Sequence, residues 1–186
     1  MPPNNPTVLA ASIAIREIGV EAAGRSFTIP AQPAASWITA LADDEPVTAV
    51  MPGMLSPDGF DRVGDLLLGE KLTLKDLRSM AFSAITEASG FRWWEAFKLV
   101  GLVNNNPIVM GEMTLAGIDP EAIPFGRWCT AVYAFCLRNH DEKEQQKWLA
   151  KFSFPPPLAE AMEEAAETGS FEDMVRGFRG MPGARG

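Results

Sequence analysis

The 186-residue sequence predicts a mostly α-helical protein: a compact helical bundle with a small N-terminal β-hairpin and a short C-terminal helical arm. Three observations predict it. From residue 33 onward, apolar residues recur at spacings of three and four, the period of a helix face. Those stretches are bounded by Ser-Pro, Asn-Pro, Thr-x-x-Asp and Gly, residue types that start and stop helices. Before residue 33 the pattern changes, and Arg25-Ser26-Phe27-Thr28-Ile29 alternates polar and apolar as a half-buried strand does.

In chain order, residues 1–12 read as a loose N-terminus opening on Pro and Asn, and residues 13–154 as the core domain. The hairpin is placed at 13–30. Ile15, Ile18 and Val20 on one arm and Phe27 and Ile29 on the other flank Ala22-Ala23-Gly24-Arg25, where Gly24 supplies the positive φ of a tight turn. A helix over 8–18 is the competing reading. Pro33 opens a helix through Leu41 with Trp37, Ile38 and Leu41 facing inward. Ser56-Pro57 is an N-cap followed by Pro at the first helical position; Phe60, Val63, Leu66 and Leu67 form its stripe, and Gly69 stops it. Thr73-Leu74-Lys75-Asp76 fits a capping box for a helix to about Ser89, with Gly90 as its C-cap. An aromatic helix follows over 91–103. Asn106-Pro107 restarts the chain, and Asp119-Pro120 and Pro124 punctuate it before an apolar helix at 125–138. Asn139 is the expected cap of a polar helix over 141–152. Pro155-Pro156-Pro157 is a hard break that begins an acidic arm, 155–186, carrying a short amphipathic helix.

Composition narrows the function classes. The net charge is −8, which argues against a nucleic-acid partner, because phosphate contacts need clustered Lys and Arg. It also disfavours an anionic membrane surface, and the apolar runs fall far short of the roughly 20 residues that span a bilayer. Met1-Pro2-Pro3-Asn4-Asn5-Pro6 has no basic n-region, so no signal peptide is expected. Cys129 and Cys136 lie seven apart, about 10 Å along a helix axis. A disulfide needs Cα atoms within about 7 Å, so buried free thiols in a reducing cytoplasm are expected.

Much aromatic surface accompanies little catalytic chemistry. In Ser89-Gly90-Phe91-Arg92-Trp93-Trp94-Glu95-Ala96-Phe97, the residues Phe91, Trp94 and Phe97 fall three apart and face a core, whereas Trp93 lies roughly 100° off that line and is free to reach solvent or a partner. Glu95, Glu112, Asp119 and Glu121 read as solvated faces and caps, since nothing in their spacing makes them converge. His140, the one histidine, follows an apolar helix with no nucleophile motif nearby. Phosphate-loop and dinucleotide fingerprints are absent. No catalytic, cofactor-binding or metal-binding residue is therefore expected. The C-terminal arm is more suggestive: Phe171, Met174, Val175 and Phe178 fall at i, i+3, i+4 and i+7 on a helix too short to be stable alone. That stripe must dock on its own core, a neighbouring subunit or a partner. Trp93, Phe171, Met174, Val175 and Phe178 are thus the partner-binding candidates.

The order of segments resembles the tail assembly chaperones of long-tailed, mycobacteriophage-like phages of actinobacteria. The resemblance covers about residues 15–160. It runs from Phe27-Thr28-Ile29-Pro30 and the Trp37 helix through Met54-Leu55-Ser56 and residues 69–76. It is strongest over Ala88-Ser89-Gly90-Phe91-Arg92-Trp93-Trp94-Glu95-Ala96 and Leu115-Ala116-Gly117-Ile118-Asp119-Pro120, with support from residues 128–133 and Phe154-Pro155-Pro156-Pro157. It implies a non-enzymatic protein, without cofactor, that binds the tape measure protein and keeps it soluble while the tail tube polymerises around it. Tail tube protein, a frameshifted longer form of the chain and further copies of itself are candidate partners. The implied location is the host cytoplasm during infection, with absence from the mature virion. The competing readings are a structural virion protein, either a head–tail connector or a minor tail protein, and a small enzyme with an unrecognised site.

Overall fold

A computed structural model describes residues 14–42, 53–138 and 140–155. The expectations for residues 1–12 and for the arm, with its Phe171, Met174, Val175 and Phe178 stripe, lie outside the described residues, Pro155 excepted. Among those described, the fold is mostly α: one two-stranded antiparallel hairpin and seven helices. The described residues up to Ser153 belong to one compact unit.

The hairpin pairs β1 (Ile18–Ala22) with β2 (Arg25–Ile29), setting Ile18 opposite Ile29 and Val20 opposite Phe27. Its two-residue turn has positive φ at both Ala23 and Gly24, the requirement of a type I′ connection. Alternation puts Ile18, Val20, Ala22, Phe27 and Ile29 on one buried face. The ladder is shorter than the 13–30 span expected: residues 15–17 carry no regular structure and Ile15 is exposed. The competing helix over 8–18 fails in its described part, because Ile18 already belongs to β1. A two-stranded ribbon is marginal by itself, and here β1 lies against α3 (Leu74–Ser89). An ion pair between Arg16 and Glu87 ties the entry to β1 to the same helix.

Helix α1 (Ala34–Leu41) follows Pro33, which has no side-chain acceptor to offer the first turn. The loop before α6 (Phe125–Arg138) supplies what Pro33 lacks: the amides of Ala34 and Ala35 donate to the carbonyls of Ile123 (2.9 Å) and Pro120 (3.0 Å). Trp37 then stacks on Phe125 at 5.7 Å, and Phe125 on Trp128 at 6.0 Å. Helix α2 (Pro57–Leu68) is capped by Ser56, whose hydroxyl accepts from the Gly59 amide at 3.2 Å. Its stripe is narrower than expected. Val63 and Leu66 are buried, but Phe60 is 47% exposed. Each three-residue step falls about 60° short of a full turn, so Phe60 sits roughly 120° round the helix from Leu66.

Helix α3 carries the full capping box. Thr73 Oγ1 accepts from the Asp76 amide (3.2 Å) and Asp76 Oδ2 accepts from the Thr73 amide (2.7 Å). Its Met80, Ala81, Ala84 and Ile85 are fully buried and meet Leu99 and Val100 of α4 (Trp93–Asn104) and Cys129 and Val132 of α6 in one core. Helix α5 (Pro107–Leu115) starts as its sequence demands: Asn106 Oδ1 accepts from the Ile108 amide, with Pro at the first position. Helix α7 (Glu142–Ser153) is capped by Asp141, whose Oδ1 accepts from the Glu144 amide at 2.8 Å. Asp141, and not Asn139, stands immediately before the first helical residue, where a side chain reaches the third turn amide. Asn139 lies outside the described residues.

Candidate interaction surfaces

The aromatic segment is built on a sharp reversal between α3 and α4. Gly90 takes φ 72°, and buried Ser89 closes the turn by accepting from the Phe91 amide (3.0 Å) and donating to the Phe91 carbonyl (3.1 Å). The helix therefore begins later than the expected residue 91, with Arg92 as its N-cap. Arg92 has no side-chain acceptor, so only half a capping box forms: Glu95 Oε2 accepts from the Arg92 amide at 3.1 Å.

Phe91 and Trp94 are buried and Phe97 is half-buried, so the three-residue line does face inward. Trp93 is half-buried. It stacks on Phe82 of α3 at 4.0 Å and meets Trp94 and Phe97 edge-on at 5.6 and 6.0 Å. One face of Trp93 thus belongs to the core, and only the remainder of the ring is available to a partner. The indole N–H groups of Trp93 and Trp94 are both buried with no acceptor among the described residues. Each such donor costs about 1–3 kcal/mol, and the Arg92 guanidinium over the Trp94 ring at 5.2 Å returns about 0.5–1 kcal/mol.

Glu95 departs from the expectation of a solvated carboxylate, being 7% exposed. Burial pushes its carboxyl above the ordinary value of 4.5, opposed by the Arg92 amide and by the charges of Arg92 and Lys98. Burial holds Lys98 below its usual 10.5, and Glu95 opposes that shift. Burial, and then Glu95, push Tyr133 up. Glu112 faces Arg138 at 3.6 Å, and Asp119 Oδ1 accepts from the Glu121 amide at 3.0 Å, so these acids serve as pair and cap. His140 lies 3.5 Å from Glu144. Cys129 and Cys136 are free and buried, and burial raises both thiols, Cys129 well above 9.0.

A surface that the sequence reading passed over is the clearest apolar feature of the fold. On α5, Val109 and Met113 turn inward, while Ile108 is 70%, Met110 50% and Leu115 89% exposed. Ile108 and Leu115 are seven residues apart and share one side of the helix, with Gly111 between them. The signal was present: the nine residues of α5 carry five large apolar side chains in a run with no polar face, more than two inward positions can bury. A depression lined by Ile18, Trp37, Glu87 and Phe125 has room for a single water, about 10 Å³. Among the described residues no cluster of His, Cys, Asp and Glu is arranged to hold a metal, and no helix is long and apolar enough to cross a membrane.

No protein-family model, curated protein or solved structure matches the chain.

Proposed function

We propose that this protein is a non-enzymatic phage tail assembly chaperone that binds the tape measure protein and assists tail tube assembly in the host cytoplasm, leaving before the virion matures. The observation that carries the reading is the bare apolar side of α5. Ile108 and Leu115 hold large side chains in water on one side of a capped helix, the arrangement that receives an amphipathic or apolar helix of a client, and Met110 stands half-bare beyond the buried Val109 and Met113. Met110 adds a flexible, polarizable side chain suited to a tolerant surface. A net charge of −8 supports the same reading, since it keeps complexes with a greasy client dispersed. The exposed part of Trp93 extends the list of contact candidates, and Phe171, Met174, Val175 and Phe178 remain candidates by their sequence spacing alone.

Two measurements test it. Co-expressed with the full chain, the tape measure protein should become soluble and co-purify; it should aggregate without the chain. Mass spectrometry of purified particles should find the tape measure protein and not this one. Its presence in particles at a fixed stoichiometry would replace the reading with a structural virion role, a head–tail connector or a minor tail protein.

A further inference from the structure

Ile108 and Leu115 stand two turns apart on α5, about 10 Å along its axis and on nearly the same line. Gly111 lies midway and to one side, and a Cβ built on it would meet no atom within 4 Å. The two bare side chains therefore bracket an open gap floored by backbone. Thr114, beside the gap, donates its hydroxyl to the Met110 carbonyl at 3.0 Å, so it asks no hydrogen bond of a partner. A large apolar side chain on an incoming helix fits between the two ridges.

The ground around this strip is acidic. From residue 99 to residue 126 the chain has no Lys, Arg or His, and its three ionisable side chains are Glu112, Asp119 and Glu121. Glu112 has Arg138 at 3.6 Å. Asp119 and Glu121 are exposed and make no ion pair among the described residues. They follow directly on the cap of α5, where Gly117 takes φ 70° and the Ile118 amide donates to the Met113 carbonyl at 3.0 Å. The last turn of α5 holds no basic residue, so the negative end of its dipole adds to the same field. A second copy suits this face poorly. A two-fold pairing of α5 centred on Gly111 would set Glu112 near its own image. Nine residues, about 14 Å of helix, also fall short of the roughly 800 Å² per partner that a stable pair of chains buries. An apolar strip with a negative rim complements a single helix with an apolar stripe and cationic flanks.

On the reading of α5 as the client face, we infer that the client segment is an amphipathic helix with a large apolar side chain seated over Gly111 and Lys or Arg on its flanks, the cations lying over Asp119 and Glu121. The apolar contact supplies the hold, and the charges supply the choice among helices of equal greasiness.

The test uses the full chain and two labelled, stapled helical peptides with the same leucine stripe, one flanked by lysines and one by glutamates. Fluorescence anisotropy at low salt should show the lysine peptide binding about tenfold more tightly. That advantage should shrink as salt rises from about 50 to 500 mM. Asp119→Asn/Glu121→Gln should erase most of the preference and keep the binding; Ile108→Ala/Leu115→Ala should abolish binding of both peptides. Equal binding of the two peptides would overturn the inference, as would a preference that survives loss of the two acids. Sedimentation showing the unaltered chain paired through Ile108 and Leu115 would also overturn it and assign the face to a second copy. Co-purification keeps the two readings apart. Peptides bound equally, with tape measure protein still captured through Ile108 and Leu115, would sink the cationic helix alone. Peptides discriminated, with no tape measure protein captured, would sink the chaperone role and sustain the cationic helix.

Discussion

Replacing Ile108 and Leu115 together by alanine separates binding from folding on α5. Each change removes three carbons, worth about 0.8 kcal/mol apiece when buried. In the free protein most of that surface is already in water, at 70% and 89% exposure, so folding has little to lose. Alanine also has the higher helix propensity, and the expected change in stability is within about 0.5 kcal/mol. In a complex that covers both side chains, each contributes about 2 kcal/mol of newly buried surface. Allowing for incomplete coverage, affinity for the proposed client, the tape measure protein, should fall by about 2–4 kcal/mol, or roughly 30- to 1,000-fold. Titration calorimetry with a soluble tape measure fragment measures the affinity, and urea unfolding measures the stability. Unchanged affinity in a double variant that folds normally would refute the assignment of α5 as the client face.

Three further outcomes follow from local geometry. Gly90→Ala places a Cβ in the left-handed region at φ 72° and should lower stability by about 1–2 kcal/mol in urea titration; no change would mean that the turn relaxes. Glu95 ionises with difficulty in the folded state, so it opposes folding above its raised folded pKa, and that opposition fades as pH falls through this value toward 4.5. Glu95→Gln should therefore be the more stable protein at pH 7 by thermal melting, with the gap closing on acidification; a gap that widens would reverse the sign assigned to the buried carboxyl. Native protein should react slowly with a thiol reagent at pH 8, Cys136 ahead of Cys129, and both should react fully in urea. Rapid labelling of Cys129 without denaturant would contradict its burial.

What short stretches of sequence decide was legible before the fold was known. The capping box at Thr73 and Asp76, the Ser56-Pro57 and Asn106-Pro107 starts, the left-handed Gly90 and the Ala23-Gly24 turn each involve groups within about four residues, so neighbouring chemistry settles them. The mostly α class and the hairpin follow from those signals together with the two apolar periods. Periodicity could not tell which apolar side chains would find cover. Phe60 was assigned inward and is exposed; Trp93 was left over and lies against Phe82; Ile108 and Leu115 went unremarked and stand bare.

Cover comes from a second element, and the packing of that element is not written in the first. Glu95 passed for a surface acid because its burial depends on what folds over α4. Lys98 likewise finds its acceptors 53 and 54 positions along the chain. Sequence by itself determined the helix starts whose caps are covalent near-neighbours, those at Ser56, Thr73 and Asn106, whereas the start of α1 takes its acceptors from Pro120 and Ile123. Tertiary structure alone decided which faces are buried, bare or clasped, because those contacts join residues that only the folded chain brings within reach.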